Sequence, residues 1–245
     1  MALELDPSLA EAHAALALVA ATYDHDWKEA ERRYTRAMVD GTVSPWTRML
    51  YATYYLLPAG RVEEAVKQEE LALQGDPLHL AISTTLALSL AAAGQIGDAE
   101  RQVQQALDLE PDYFPAYHTA AALYASQGRF AEALAFAEKA YSLFPWTFYS
   151  VSLFAGLLAR TGDQTRAEEL LQEVRTGPAW LTNTGLMYFC LYSGDVERAA
   201  DWAEKAIADG VPSICAGLCS ELAKDLRASP RWPKLAKMMN LSEIR

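Results

Sequence analysis

The chain has 245 residues, of which 51% are hydrophobic, and its formal net charge is −11, from 21 Lys and Arg against 32 Asp and Glu. A chain this apolar is expected to fold rather than stay disordered, and one this acidic is a poor direct ligand for nucleic-acid phosphates. Its three cysteines, an odd number, do not indicate a disulfide framework.

Residues 1–7, the first segment of the chain, lack the basic start, apolar stretch and cleavage site of a secretory signal. The most apolar stretch, residues 78–94, is interrupted by Ser and Thr. It falls short of the ~20 apolar residues that a membrane helix needs. The sequence therefore predicts a cytoplasmic protein without a membrane-spanning helix.

A 34-residue period runs through most of the chain. It relates residues of three types, namely Pro77, Pro111 and Pro145, then Gly60, Gly94, Gly128 and Gly162, then Ala65, Ala99, Ala133 and Ala167. Because three residue types share one spacing, the period indicates an internal structural repeat.

Residues 112–145 show what one period predicts. Tyr117, Ala121 and Tyr124 recur at spacings of four and three residues, as on one face of a helix. Gly128 then suits the left-handed residue that ends a helix, and an Ala-rich second helix follows. Small side chains let two antiparallel helices pack closely, so the period predicts a helical hairpin.

A 34-residue helical hairpin with small residues at the helix crossing and a closing Pro resembles the tetratricopeptide repeat. Residues 80–111 and 114–145 carry the resemblance best, while the outer repeats depart from it. One residue is inserted near Asp24, and Thr53 and Met187 replace small residues. The resemblance implies an all-α protein, a right-handed α-α superhelix of about six hairpins.

In chain order, the repeat array is predicted over residues 1–211. A partial repeat occupies residues 1–7, and six hairpins follow, starting near residues 8, 44, 78, 112, 146 and 178. Residues 2–7, Ala-Leu-Glu-Leu-Asp-Pro, closely match residues 106–111, Ala-Leu-Asp-Leu-Glu-Pro, which end a second helix. We therefore expect the chain to be the C-terminal part of a longer protein.

The repeat pattern is lost over residues 212–245, which are predicted to form a pair of C-terminal capping helices. Solenoids need such a cap to cover their last apolar face. The apolar stripe of the first capping helix consists of Ile214, Leu218, Leu222 and Leu226. The ending is similar to the tails of tetratricopeptide regions in bacterial multidomain signalling proteins.

Residues that could carry chemistry are few. Asp24, His25 and Asp26 form the only close carboxylate–histidine cluster, but they fall in a predicted turn. Cys215 and Cys219 lie one helical turn apart, yet no second ligand pair follows, so we interpret them as packing residues. We therefore predict no enzyme activity, no metal and no cofactor.

The resemblance places the candidate binding site on the concave surface, which the first helix of each hairpin lines. The candidate groove residues are Leu18, Leu50, Tyr54, Leu57, Thr84, Leu88, His118, Ala122, Tyr149, Ser152, Leu181, Tyr188 and Leu191. Without Lys or Arg, this set disfavours a clamp for a peptide carboxylate and suits an amphipathic helix or an extended apolar peptide. The alternative, that the array packs these residues against one another or against its own C-terminal helix, is equally open.

The resulting hypothesis is a non-enzymatic interaction scaffold that binds a protein or peptide in its groove, without a nucleic-acid or membrane partner. It would be the C-terminal module of a larger bacterial regulatory protein. One alternative is that the repeats recruit substrate for an enzyme whose catalytic domain lies upstream of Met1. Two others are an acidic convex face that binds a basic partner and self-association through the N-terminal hairpin.

Overall fold

The computed structural model describes residue 6, residues 8–39 and residues 43–244. Within these residues all regular elements are helical, with fifteen α-helices and no strand. The partial repeat predicted for residues 1–7 lies outside the described residues, apart from Asp6.

Twelve of these helices form six consecutive antiparallel hairpins. They are α1 (Ala10–Val19) with α2 (Trp27–Ala37), α3 (Pro45–Tyr51) with α4 (Val62–Gly75), α5 (Leu80–Ala92) with α6 (Ile96–Leu109), α7 (Phe114–Ser126) with α8 (Phe130–Leu143), α9 (Phe148–Thr161) with α10 (Gln164–Arg175), and α11 (Ala179–Ser193) with α12 (Val196–Ala208). Each hairpin packs on the next. The result is a right-handed α-α superhelix, so the predicted fold class is confirmed.

The two helices of a hairpin are buried differently. In α9 every residue from 150 to 159 is buried, whereas in α12 the buried residues recur on one face, as at Ala199, Ala203 and Ala206. A first helix is enclosed by its own partner, by the neighbouring hairpin and by whatever covers the concave side. A second helix keeps one face in water and is therefore amphipathic.

The turn inside a hairpin requires a left-handed residue, as Gly94 illustrates with φ +75°. The first hairpin has no glycine there, and His25 takes this conformation with φ +50°. Before it, α1 continues as a π-helical turn, Ala20–Asp24. A π-helical turn absorbs an extra residue, which explains the insertion near Asp24.

The small residues at the helix crossings are fully buried, as at Ala99 and Ala133. Met187 replaces a small residue in the last hairpin and is also completely buried, so the neighbouring helices accommodate its longer side chain. Thr53, at the equivalent site of the second hairpin, stays partly exposed and donates a hydrogen bond to Glu69.

Residues 213–228, which we call the strap, leave the stack after the last hairpin. The strap comprises α13 (Ile214–Cys219), a 3-10 turn (Glu221–Ala223) and α14 (Lys224–Ala228). Its 3-10 turn contacts α5, α7 and α11 on the concave side of the array. This part of the predicted cap therefore folds back into the groove instead of extending the stack.

Residues 229–244, which we call the tail, connect the last hairpin to the first. The tail contains α15 (Trp232–Met238) and a 3-10 turn (Leu241–Glu243), which pack on α12 and on α2 respectively. The Trp27 indole N–H donates to the Met239 carbonyl oxygen at 2.8 Å. The Asn240 amide donates to the His25 carbonyl oxygen at 3.3 Å, so the two ends of the array are held together.

Candidate functional site

The strap covers much of the concave face. The Ser213 and Tyr149 hydroxyl oxygens are 3.0 Å apart, and the Lys224 ammonium donates to the Ser126 carbonyl oxygen at 2.6 Å. Gly217 approaches the Tyr188 phenol so closely that any β-carbon at this position would collide with it. Of the two arrangements that the sequence leaves open, the structure has the groove occupied by the chain's own C-terminal segment.

The apolar stripe of the strap explains its position. Ile214, Leu218 and Leu226 are at most 1% exposed and belong to the same core cluster as the buried residues of α9 and α11. Burying one such side chain contributes about 1.5–3 kcal/mol. Unfolding the strap into water would therefore cost roughly 5–9 kcal/mol from these three residues alone.

The strap does not fill the whole groove. A cavity of about 220 Å³ remains between it and helices α5, α7 and α11, together with the π-helical turn Ala52–Leu56 that follows α3. Six predicted groove residues line this cavity, namely Tyr54, Leu57, Leu88, His118, Ala122 and Tyr188. The cavity is also lined by Thr53, Thr85 and Tyr192, which were not predicted, and by strap residues that form the opposite wall.

Near neutral pH the cavity wall is essentially uncharged. Burial lowers the pKa of His118 to about 4, so its imidazole is neutral. Burial also raises the pKa of the Tyr54 and Tyr188 phenols, which stay protonated. Glu221 at the rim is paired with Arg227 at 3.1 Å.

Aromatic rings order one side of the groove. The ring centroids of Phe114 and His118 are 6.1 Å apart, those of His118 and Tyr149 are 6.2 Å apart, and those of Tyr149 and Tyr188 are 5.5 Å apart. These contacts run from α7 through α9 to α11, so side chains from three hairpins hold one another in place.

Seven predicted groove residues do not line the cavity, namely Leu18, Leu50, Thr84, Tyr149, Ser152, Leu181 and Leu191. Tyr149 instead holds the strap through Ser213. Ser152 is completely buried beside α11, near Gly185. Leu181 faces a different pocket.

Leu50 and Thr84 are buried. Their polar atoms bond within the array, because the Leu50 carbonyl oxygen accepts from the Tyr34 hydroxyl and the Thr84 hydroxyl donates to the Ala81 carbonyl oxygen. Leu18 and Leu191 are partly buried against the core. The predicted groove residues therefore all lie on first helices or directly after them, and six of the thirteen line the cavity.

A buried carboxyl group lies behind the cavity wall. Glu69 is completely buried on α4, and its Oε1 accepts from the Thr53 hydroxyl at 3.2 Å. Burial raises the pKa of Glu69 to about 7, against the opposing effect of hydrogen bonds from Ser89, Thr85 and Thr53. The sequence carried a signal for this group, because equivalent repeat positions hold apolar residues such as Val103.

A second apolar surface lies at the junctions between hairpins, where each first helix begins. We call it the aromatic edge and define it by Trp46, Leu78, Trp146 and Trp180, which are all exposed. Trp146 is 76% exposed and borders a pocket of about 410 Å³ between α9 and α11, which Phe148, Val174 and Leu181 also line. Among the residues that the structure describes, no segment covers this pocket.

Two of the residues considered above as possible metal ligands, Asp26 and Cys215, make contacts that stabilise the fold. Asp26 accepts from the Glu29 backbone N–H and caps α2. Cys215 is buried, and its hydrogen bond with Cys219 and its burial raise the pKa of its thiol. In the described part of the chain, no three His, Cys, Asp or Glu side chains are grouped to hold a metal ion.

These features define an all-helical solenoid whose concave face is largely occupied by its own C-terminal segment. None of the helices that the structure describes is long and apolar enough to cross a membrane. No family model and no curated protein matches the chain.

Solved structures share the fold. A tetratricopeptide repeat protein from Parabacteroides merdae is 19% identical with a TM-score of 0.63, over 91% of this chain and 88% of that protein. Human IFIT1, in a dimer with PPP-AAAA, is 18% identical with a TM-score of 0.64, over 99% of this chain and 63% of that one. Cut9, in the APC/C hetero-tetramer Cut9–Hcn1, is 15% identical with a TM-score of 0.58, over 97% of this chain and 50% of that one. The architecture is therefore that of tetratricopeptide-repeat solenoids.

Proposed function

We propose that this chain is a non-enzymatic scaffold that holds a protein partner. Among proteins of similar fold, Cut9 assembles with Hcn1, whereas IFIT1 is seen with PPP-AAAA. An anionic ligand of the second kind does not suit a chain with a formal net charge of −11 and an uncharged groove. A protein partner fits this chain better.

The observation that carries the proposal is the open pocket beside Trp146. A large aromatic side chain that stays 76% exposed next to an apolar pocket is typical of surfaces where a partner's side chain inserts. Within the chain, the Trp146 ring contacts Phe144, with centroids 5.6 Å apart. An aliphatic or aromatic side chain of the partner would bind between α9 and α11.

The concave groove is the second candidate site. The strap covers this face with its own apolar residues, which supports the predicted preference for an amphipathic or apolar peptide. A partner helix would have to replace the contacts of Ile214, Leu218 and Leu226. Only a partner with a comparably large apolar face could do so.

The wider context is part of the same proposal. The resemblance of residues 212–245 supports a module of a larger regulatory protein, which we place in the cytoplasm. Recruitment of substrate for an attached enzyme is the alternative. A basic partner on the acidic convex face would lose affinity steeply as salt rises. A partner anchored by apolar contacts at Trp146 would not.

The proposal is tested by partner capture with the immobilised full chain from a lysate of the source organism. We compare the wild type with Trp146→Ala, with the exposed control Leu109→Ala, and with Ala122→Leu, which fills the groove cavity. Loss with Trp146→Ala alone supports the aromatic edge, and loss with Ala122→Leu alone supports the groove. Capture that survives in all three variants contradicts both sites.

A further inference from the structure

We propose that the cavity beneath the strap binds a small, uncharged, largely apolar molecule that carries a hydrogen-bonding group. This site differs from a protein-docking surface, because a small ligand binds with the strap in place and the strap forms one wall of the site, whereas a partner helix would have to displace the strap. The proposal goes beyond the scaffold function and does not depend on it.

The volume of the cavity limits the size of the ligand. At about 220 Å³ it exceeds the ~150 Å³ of an engineered apolar cavity that accepts benzene. It is smaller than the ~300 Å³ at which pockets for drug-sized molecules begin. A molecule of one or two rings fits this range.

The walls of the cavity are mainly apolar. Leu57, Leu88 and Ala122 line it from the array, and Ala216 and Leu222 line it from the strap. A ligand would therefore contact both parts of the chain and bury most of its surface against carbon atoms.

Four of the residues that line the cavity carry a hydroxyl or imidazole group. The hydroxyl groups of Tyr54, Tyr188 and Tyr192 and the imidazole of His118 belong to lining residues, and none makes a hydrogen bond with another residue that the structure describes. Tyr188 and Tyr192 are more than nine-tenths buried. A hydrogen bond to one of these groups is worth about 0.5–1.5 kcal/mol, so a ligand that supplies it binds more tightly than a hydrocarbon of the same size.

Charge decides which ligands are excluded. Glu221 is the one ionised side chain among the described lining residues, and Arg227 already pairs with it. His118 is neutral because burial lowers its pKa to about 4. An ionic ligand would lose its hydration without gaining a counter-charge, so the chemistry favours a neutral phenol, ketone or indole.

The test uses the full chain and 2-naphthol as the probe, with naphthalene-2-sulfonate as its charged match. We expect 2-naphthol to raise the melting temperature saturably, because it binds the folded state alone, and the sulfonate to have no effect. Isothermal titration calorimetry gives the affinity, and NMR contacts between the probe and the Leu88 methyl groups give the location. If the cavity holds only water and accepts no ligand, 2-naphthol will show no saturable binding. This result would overturn the proposal.

Three variants separate the cavity from other surfaces. Ala122→Leu fills the cavity and should abolish binding, whereas Ala135→Leu makes the same change at an exposed position of α8 and should not. Tyr188→Phe keeps the ring and should weaken binding about 2- to 10-fold, the worth of one hydrogen bond. Unchanged affinity in Tyr188→Phe contradicts the role of the hydroxyl, and equal affinity for the sulfonate contradicts the uncharged chemistry. If Ala122→Leu does not fold, the NMR contacts to Leu88 decide the location.

Discussion

The concave groove and the aromatic edge are both apolar surfaces built from the first helices of the hairpins, but only the groove is covered. In the groove, the strap buries Ile214 and Leu218 in the main apolar core, and its Gly217 lies against the Tyr188 ring of α11. At the edge, Trp146 and Leu78 remain in water. The contrast shows that an apolar repeat position does not reveal by itself whether it serves stability or recognition, because that depends on which distant segment reaches it.

The largest expected effect lies in the covered region. Leu218→Ala should lower the free energy of unfolding by about 2–5 kcal/mol, because it leaves a cavity in a fully buried contact. Leu78→Ala, the same change at a residue that is 69% exposed, should stay within about 0.5 kcal/mol of the wild type. Urea unfolding measures both, and equal effects would remove the distinction between the two surfaces.

The second prediction concerns the carboxyl group behind the groove. The folded-state pKa of Glu69 is raised to about 7 from 4.5, so the folded state keeps its proton while the unfolded state loses it. The associated stability is fully present below pH ~4.5 and is lost as the pH rises to ~7, by an amount of the order of 3 kcal/mol. Glu69→Gln removes this dependence.

Urea unfolding at pH 4.5 and pH 8 checks this sign. The stability of Glu69→Gln relative to the wild type should increase between the two pH values. A difference that stays constant with pH would show that the Glu69 carboxyl ionises in the folded protein as it does in the unfolded chain.

A smaller effect is expected where the tail is fastened to the last hairpin. Arg231 pairs with Glu197 at 2.9 Å, Asp201 at 2.6 Å and Glu204 at 3.2 Å. Arg231→Gln should lower the melting temperature at low salt, and the loss should shrink as salt screens the exposed charges. Thermal unfolding over a range of NaCl concentrations tests this, and a loss that does not vary with salt would indicate packing instead of charge.

The smallest effect on stability is expected at the aromatic edge. Trp146→Ala should change the free energy of unfolding by less than about 0.5 kcal/mol, because most of the side chain is already in water. Binding of a captured partner should nevertheless be lost. A variant that is strongly destabilised instead would assign Trp146 to the core.

Much of the fold follows from local spacing. The period that relates Gly94 to Gly128 predicts the hairpins, and the insertion near Asp24 anticipates the π-helical turn before His25. The groove was predicted less well, because a helix position has a definite outward direction only once its neighbours are placed. Tyr188 lines the cavity, whereas Ser152 lies buried near Gly185 of α11.

The sequence by itself determined the helical hairpins, their repetition and the uncharged character of the concave face. Those properties depend on residues within one repeat, where three- and four-residue spacings and a turn glycine decide the conformation. Only the tertiary structure decided that Met239 reaches Trp27 and that Ser213 reaches Tyr149. These contacts result from small rotations that accumulate over six hairpins, and no single repeat contains that information.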